Sequence, residues 1–126
     1  MNRDDLTYRG RRRLSDVADR AGREAIDHVD GDGVETARAV AADLAESDEL
    51  LRGAVQASVT LDARANDRRK AINERGGDPY DDDVLTSLRE AREKAREAVE
   101  GRVEEVVGEA VDYAARETAE AVEVEG

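Results

Sequence analysis

The chain contains no cysteine, which excludes a disulfide framework, a thiolate metal site and thiol redox chemistry. Phe and Trp are absent and there are three Tyr and one Met in 126 residues, so the side chains that bury most area are almost missing. His28 is the only histidine, leaving no pair for zinc and no Ser/His or Cys/His arrangement. The glycines stand singly or in two turns, without a Walker-type or dinucleotide-binding phosphate loop. Catalysis therefore has no visible toolkit, and the expectation is a non-enzyme with no metal and no cofactor. No stretch approaches the roughly 20 apolar residues of a membrane span. Residues 1–13 are charged and lack the apolar centre of a signal peptide. The expected location is the cytoplasm, or a particle assembled there.

What the chain does contain is charge and small apolar residues. Thirty-two acids face 20 bases, a net charge of −12, and 18 of the bases are Arg. Eight Leu, two Ile and fourteen Val are the only strong core formers, with 21 Ala beside them. Few large apolar residues and high net charge are a signature of disorder. Against it, the apolar residues recur at helical spacing, and Pro, Ser and Gln are scarce. Many carboxylates, abundant Ala and Val, two Lys and no large aromatics resemble the protein style of haloarchaea, which keep molar potassium inside. That resemblance implies a salt-in habitat. Self-repulsion of so acidic a surface fades when the Debye length shrinks to about 3 Å near 1 M salt.

The periodicity predicts an all-α fold, a bundle of about four helices with a long C-terminal one. Residues 1–13 read as a basic arm, 14–120 as one helical domain and 121–126 as a tail. A first helix is expected on the stripe Leu14, Val17, Ala18, Ala21, Ala25, Ile26 and Val29, capped by Ser15 and Asp16, with an earlier start near Asp4 as the alternative. Residues 30–33 form a turn. A second helix runs from Val34 to Glu46, and Ser47 and Asp48 offer a cap for a third, which ends at Gly76, Gly77 and Pro79. Asp81, Asp82 and Asp83 then open a fourth, whose stripe from Leu85 through Val99, Val103, Val106, Ala110 and Ala114 lasts nearly forty residues. Such a rod either breaks, at Gly101 or Gly108, or projects onto another chain.

Two acidic groups invite a metal reading. Asp30, Asp32, Gly33 and Glu35 open like a calcium loop, but the twelfth position, where that loop needs Glu, is Ala41. Asp78 and Asp81 to Asp83 are accounted for by helix capping. The feature that breaks the acidic trend is the arm: residues 1–23 carry seven Arg against four Asp, whereas residues 97–126 carry ten acids against two Arg. Arg9, Arg11, Arg12 and Arg13 are thus candidates for partner binding, by bidentate pairing with carboxylates rather than by contact with DNA, which is weak in concentrated salt. Val122 and Val124 alternate with Glu and offer a docking strand in the tail. With so thin a core, a homo-oligomer or a place in a larger protein assembly is expected.

Asp82-Asp83-Val84-Leu85, Leu88, Ala91, Ala95, Ala98-Val99-Glu100 and Gly101-Arg102 resemble the acidic start, Leu pair, alanine-spaced helix and Gly-Arg ending of head-to-tail connector adaptors of tailed viruses. The family carries this pattern near its N-terminus, unlike this chain. The resemblance implies a small helical subunit of a virion neck, in a ring beneath the portal, with portal and neck proteins as partners. The leading expectation is a non-catalytic structural or assembly subunit. The alternative is a small regulatory or nucleic-acid-binding helical protein using the N-terminal arginines.

Overall fold

A computed structural model describes the backbone of residues 6–125 and the side chains of residues 6–119. The elements are α1 (Tyr8–Ile26), α2 (Val34–Ser47), α3 (Glu49–Glu74) and α4 (Asp83–Glu125), with short 3₁₀ turns at Gly31–Gly33 and Pro79–Asp81 and no strand among the described residues. The all-α bundle with a long C-terminal helix is what the spacing predicts.

The helix ends show which local signals acted. Thr7 begins α1, its hydroxyl accepting from the Gly10 amide at 3.1 Å, so Ser15 and Asp16 lie inside the helix and the first two turns hold Arg9, Arg11, Arg12 and Arg13. The segment read as an arm is therefore helical from Tyr8 onward; residues 1–5 lie outside the described part. Asp48 alone separates α2 from α3. Its backbone is extended and its carboxylate accepts from the Leu51 amide at 2.8 Å, while Ser47 donates back to the Asp43 carbonyl and so belongs to α2. At the end of α3, Gly76 takes φ +73°, where only glycine is free of strain, and the amides of Gly76 and Gly77 bond the carbonyls of Asn73 and Ile72. Asp82 then starts α4 by accepting from the Leu85 amide at 2.8 Å.

Helix α4 spans 43 residues, about 65 Å. It runs without a break through Gly101 and Gly108, and its backbone stays helical through Val122 and Val124, which form no strand; their side chains lie outside the described residues. Helices α2 and α3 share its length. α2 runs antiparallel along the C-terminal half, Gly33 facing Ala114 and Thr118 and Asp48 facing Arg102. α3 continues antiparallel along the N-terminal half, with Asp62 at Arg92 and Arg96 and Arg68 at Asp82. α1 folds back on α2 and lies against α4 and the start of α3. One part of the molecule is thus a multi-helix bundle, and the other is a two-helix arm made of α3 after Asp62 and α4 before Val99.

Small side chains fill the bundle. Ala21, Ala25, Ala37, Ala41, Ala45 and Ala110 are fully buried around Leu51, Val55, Val103 and Val106. Each alanine buries little area, but backbones come close: a Cβ on Gly22 would sit 3.2 Å from the Arg38 carbonyl oxygen. In the arm the buried set shrinks to Ala65, Ile72 and Leu85, with Leu88 packed against them.

Candidate partner-binding surface

The arginines at the start of α1 occupy the end of a helix where the macrodipole disfavours cations, and no acidic residue lies in that first turn to offset them. Arg9, Arg11 and Arg12 are exposed. Arg12 lies over the ring of the exposed Tyr8, its guanidinium carbon 6.0 Å from the centroid, and Arg11 lines a cleft of about 310 Å³ with Arg52, Asp43 and Glu46. Arg13 points the other way. Its Nη1 donates to Ser58 Oγ at 3.1 Å and to Asp62 Oδ2 at 2.8 Å, pinning α1 to α3. Thr7 makes a second pin, with its amide and hydroxyl both donating to Gln56 Oε1. Of the four candidate arginines, three remain on the surface and one is used within the chain.

Ion pairs at three points along their length fix α3 on α4. At the bundle end, Arg102 Nε donates to Asp48 Oδ2 at 2.9 Å, and Arg102 also pairs with Glu105. The Arg102 hydrogen bond holds the Asp48 carboxyl below its usual pKa, outweighing the opposing effect of burial, with the Leu51 amide adding to the lowering. At the arm end, Arg68 grips Asp82 with two bonds of 3.0 and 2.8 Å. That fork, followed by the Leu85 amide, brings the Asp82 carboxyl down to about 2. Between them Asp62 receives three arginines: Arg13 at 2.8 Å, Arg96 at 3.3 Å and Arg92 at 3.6 Å. Sequence reasoning missed this centre. Its arginines lie up to 49 positions from Asp62 in a chain 41% charged, where every arginine has many eligible carboxylates.

The tip of the arm carries exposed apolar groups. Tyr80 is 84% exposed and Val84 52%, with the Arg89 guanidinium 5.9 Å from the Tyr80 ring centre. Asp78, from the acidic cluster beside them, caps the 3₁₀ turn through the Tyr80 amide, and Asp82 is engaged as above. Asp30 and Asp32 flank Gly31 in the first turn, and Glu35 lies in the first turn of α2. Among the described residues no group of three or more His, Cys, Asp or Glu side chains is placed to hold a metal ion, and no helix is long and apolar enough to cross a membrane. His28 is exposed in the turn after α1. Compared with known protein families, characterised proteins and solved structures, the chain matches none.

Proposed function

We propose that this chain is a non-catalytic structural or assembly subunit that acts by packing its helices on neighbouring subunits, in a homo-oligomer or a larger complex of a halophilic system. The observation that carries this reading is the arm. Two long helices lie side by side over only three buried apolar side chains and end in an exposed Tyr80 and Val84. A helix pair with so little between its members gains stability when a second surface covers it. The arginines of α1 add a second contact region, since they occupy an unfavourable helix end and Arg9, Arg11 and Arg12 face outward.

The finer form of the proposal is a head–tail connector of a virion. It rests on the resemblance carried by residues 82–102, a stretch that begins α4 on the arm and runs into the bundle. In that form the subunit assembles as a ring. Light scattering coupled to size-exclusion chromatography in molar KCl tests the general reading, with negative-stain microscopy of the same fractions testing the ring. Oligomers that revert to single chains on Tyr80→Asp with Val84→Asp are expected. A compact single chain that melts cooperatively and attaches to nothing overturns the proposal.

A further inference from the structure

Where α1 meets the base of the arm, a cleft of about 300 Å³ is lined by Arg13, Arg20, Ser58, Asp62, Arg96 and Glu100. Arg92 reaches the same Asp62 from α4, so four guanidinium groups converge on one small region. The carboxylates there are unevenly matched to them. Asp62 is shared by three arginines, and Glu100 stands 2.9 Å from Arg20 Nη2, too poorly aligned to accept a hydrogen bond from it. Glu24 lies 3.7 Å from Arg20 and Glu93 4.0 Å from Arg96, both beyond hydrogen-bonding reach.

The pairing also leaves donors without acceptors. Arg92 Nε is shut off from solvent and donates to nothing, its nearest Asp62 oxygen being 3.6 Å away, and Arg20 Nε is in the same condition. A buried donor without an acceptor has lost its hydration and gained nothing in return. A small turn of either side chain toward an anion in the cleft would relieve that cost. Guanidinium forks match the edge of a tetrahedral oxyanion with two parallel N–H···O bonds, which a spherical halide cannot accept.

We infer that this cleft is a binding site for a tetrahedral oxyanion of the phosphate or sulfate type, gripped by Arg13 and Arg20 from α1 and by Arg92 and Arg96 from α4, with Asp62 as the internal group that competes for the same cations. The site ties three helices together, so occupancy stabilises the joint between bundle and arm.

The test is a thermal melt and a calorimetric titration of the whole chain with potassium phosphate or potassium sulfate, at an ionic strength held constant with KCl. Phosphate or sulfate is expected to raise the melting midpoint, and Arg92→Gln with Arg96→Gln to weaken binding by roughly tenfold or more. Asp62→Asn removes the competitor and is expected to tighten binding, also by about tenfold, while lowering the midpoint measured in KCl alone. Should that variant fail to fold, Glu100→Gln, at the exposed edge of the cleft, is expected to tighten binding by a smaller factor. Stabilisation equal to that given by chloride, or binding that is unchanged in the arginine variant, overturns the inference.

Discussion

The bundle and the arm are built from one chain by different means. Residues 62–96, which make the arm, carry nine acids and nine bases, including both lysines, and so have no net charge; the whole −12 falls on the rest of the chain. The apolar balance is reversed. Seventeen buried residues form the bundle cluster, from Leu6 to Ala114, against three in the arm. The bundle is thus cohesive by burial and strained by charge, whereas the arm has little to bury and is held by matched ion pairs such as Arg68 with Asp82. Apolar cohesion and electrostatic neutrality are alternative ways to keep two helices together, and salt moves them in opposite directions.

The largest effects separate the two regions directly. Leu51→Ala empties a fully buried site in the bundle and is expected to cost about 3 kcal/mol, lowering the melting midpoint of the whole molecule. Ile72→Ala removes a comparable side chain from the arm. It is expected to abolish amide-exchange protection around residues 65–90 while the bundle midpoint changes little. Equal falls in midpoint for the two variants would show that the regions unfold as one unit. Next in size is the response to salt. Raising KCl from dilute buffer to about 1 M is expected to increase exchange protection in α2 and in α4 beyond Glu97, the acidic elements that face each other, on the order of tenfold, and to leave α3 beyond Asp62 unchanged or weaker.

The difference between the regions also explains what the sequence made legible. Elements announced by backbone chemistry could be read residue by residue: the turn at Gly31 and Gly33, the stop at Gly76 and Gly77, and the break at Asp48. So could the face of α4 through Val99, Val103, Val106 and Ala110, because burial imposes a period. The start of α1 could not, because Tyr8 to Arg13 are mostly exposed and show no period; only Thr7 signalled it, as a cap with no Glu or Gln three residues on. The continuity of α4 through Gly101 was equally hidden, since glycine lowers helix propensity while packing decides the outcome. Of the candidate surface, the exposure of Arg9, Arg11 and Arg12 fits a cationic patch, yet the inward turn of Arg13 depends on Asp62, a tertiary fact with no local trace.

Acid probes the ion pairs that join the regions. Both Asp48 and Asp82 have folded-state pKa values below the ordinary 3.8, the latter at about 2. A lowered carboxylate pKa contributes stability that is complete above the unfolded value and is lost as pH falls through the folded one. Stability is therefore expected to drop between about pH 4 and pH 2, with the arm's contribution vanishing across that window. Asp82→Asn should flatten the acid response of exchange protection in the arm alone. Asp48→Ala removes both a cap and an ion pair, and is expected to cost about 1–2 kcal/mol at neutral pH, read by denaturant melts. An unaltered acid profile in both variants would mean that the pairs do not couple helix α3 to α4.

The smallest effect has opposite signs at two glycines. Gly101 lies on the exposed side of α4, and a Cβ built there meets nothing within 4 Å. Replacing it with alanine raises helix propensity without a steric penalty, so Gly101→Ala is expected to stabilise the chain by about 0.5–1 kcal/mol. Gly22 in α1 offers the same gain in propensity, but its new methyl would press on the Arg38 backbone at 3.2 Å and force α1 away from α2. A backbone carbonyl cannot swing aside as a side-chain tip can, so Gly22→Ala is expected to destabilise by about 1 kcal/mol, as overpacking does in a close-fitted interior. Paired denaturant melts of the two variants measure the contrast. A gain at both positions would mean that α1 and α2 are less closely held than their backbones imply, and that the small residues of the bundle serve its composition rather than its packing.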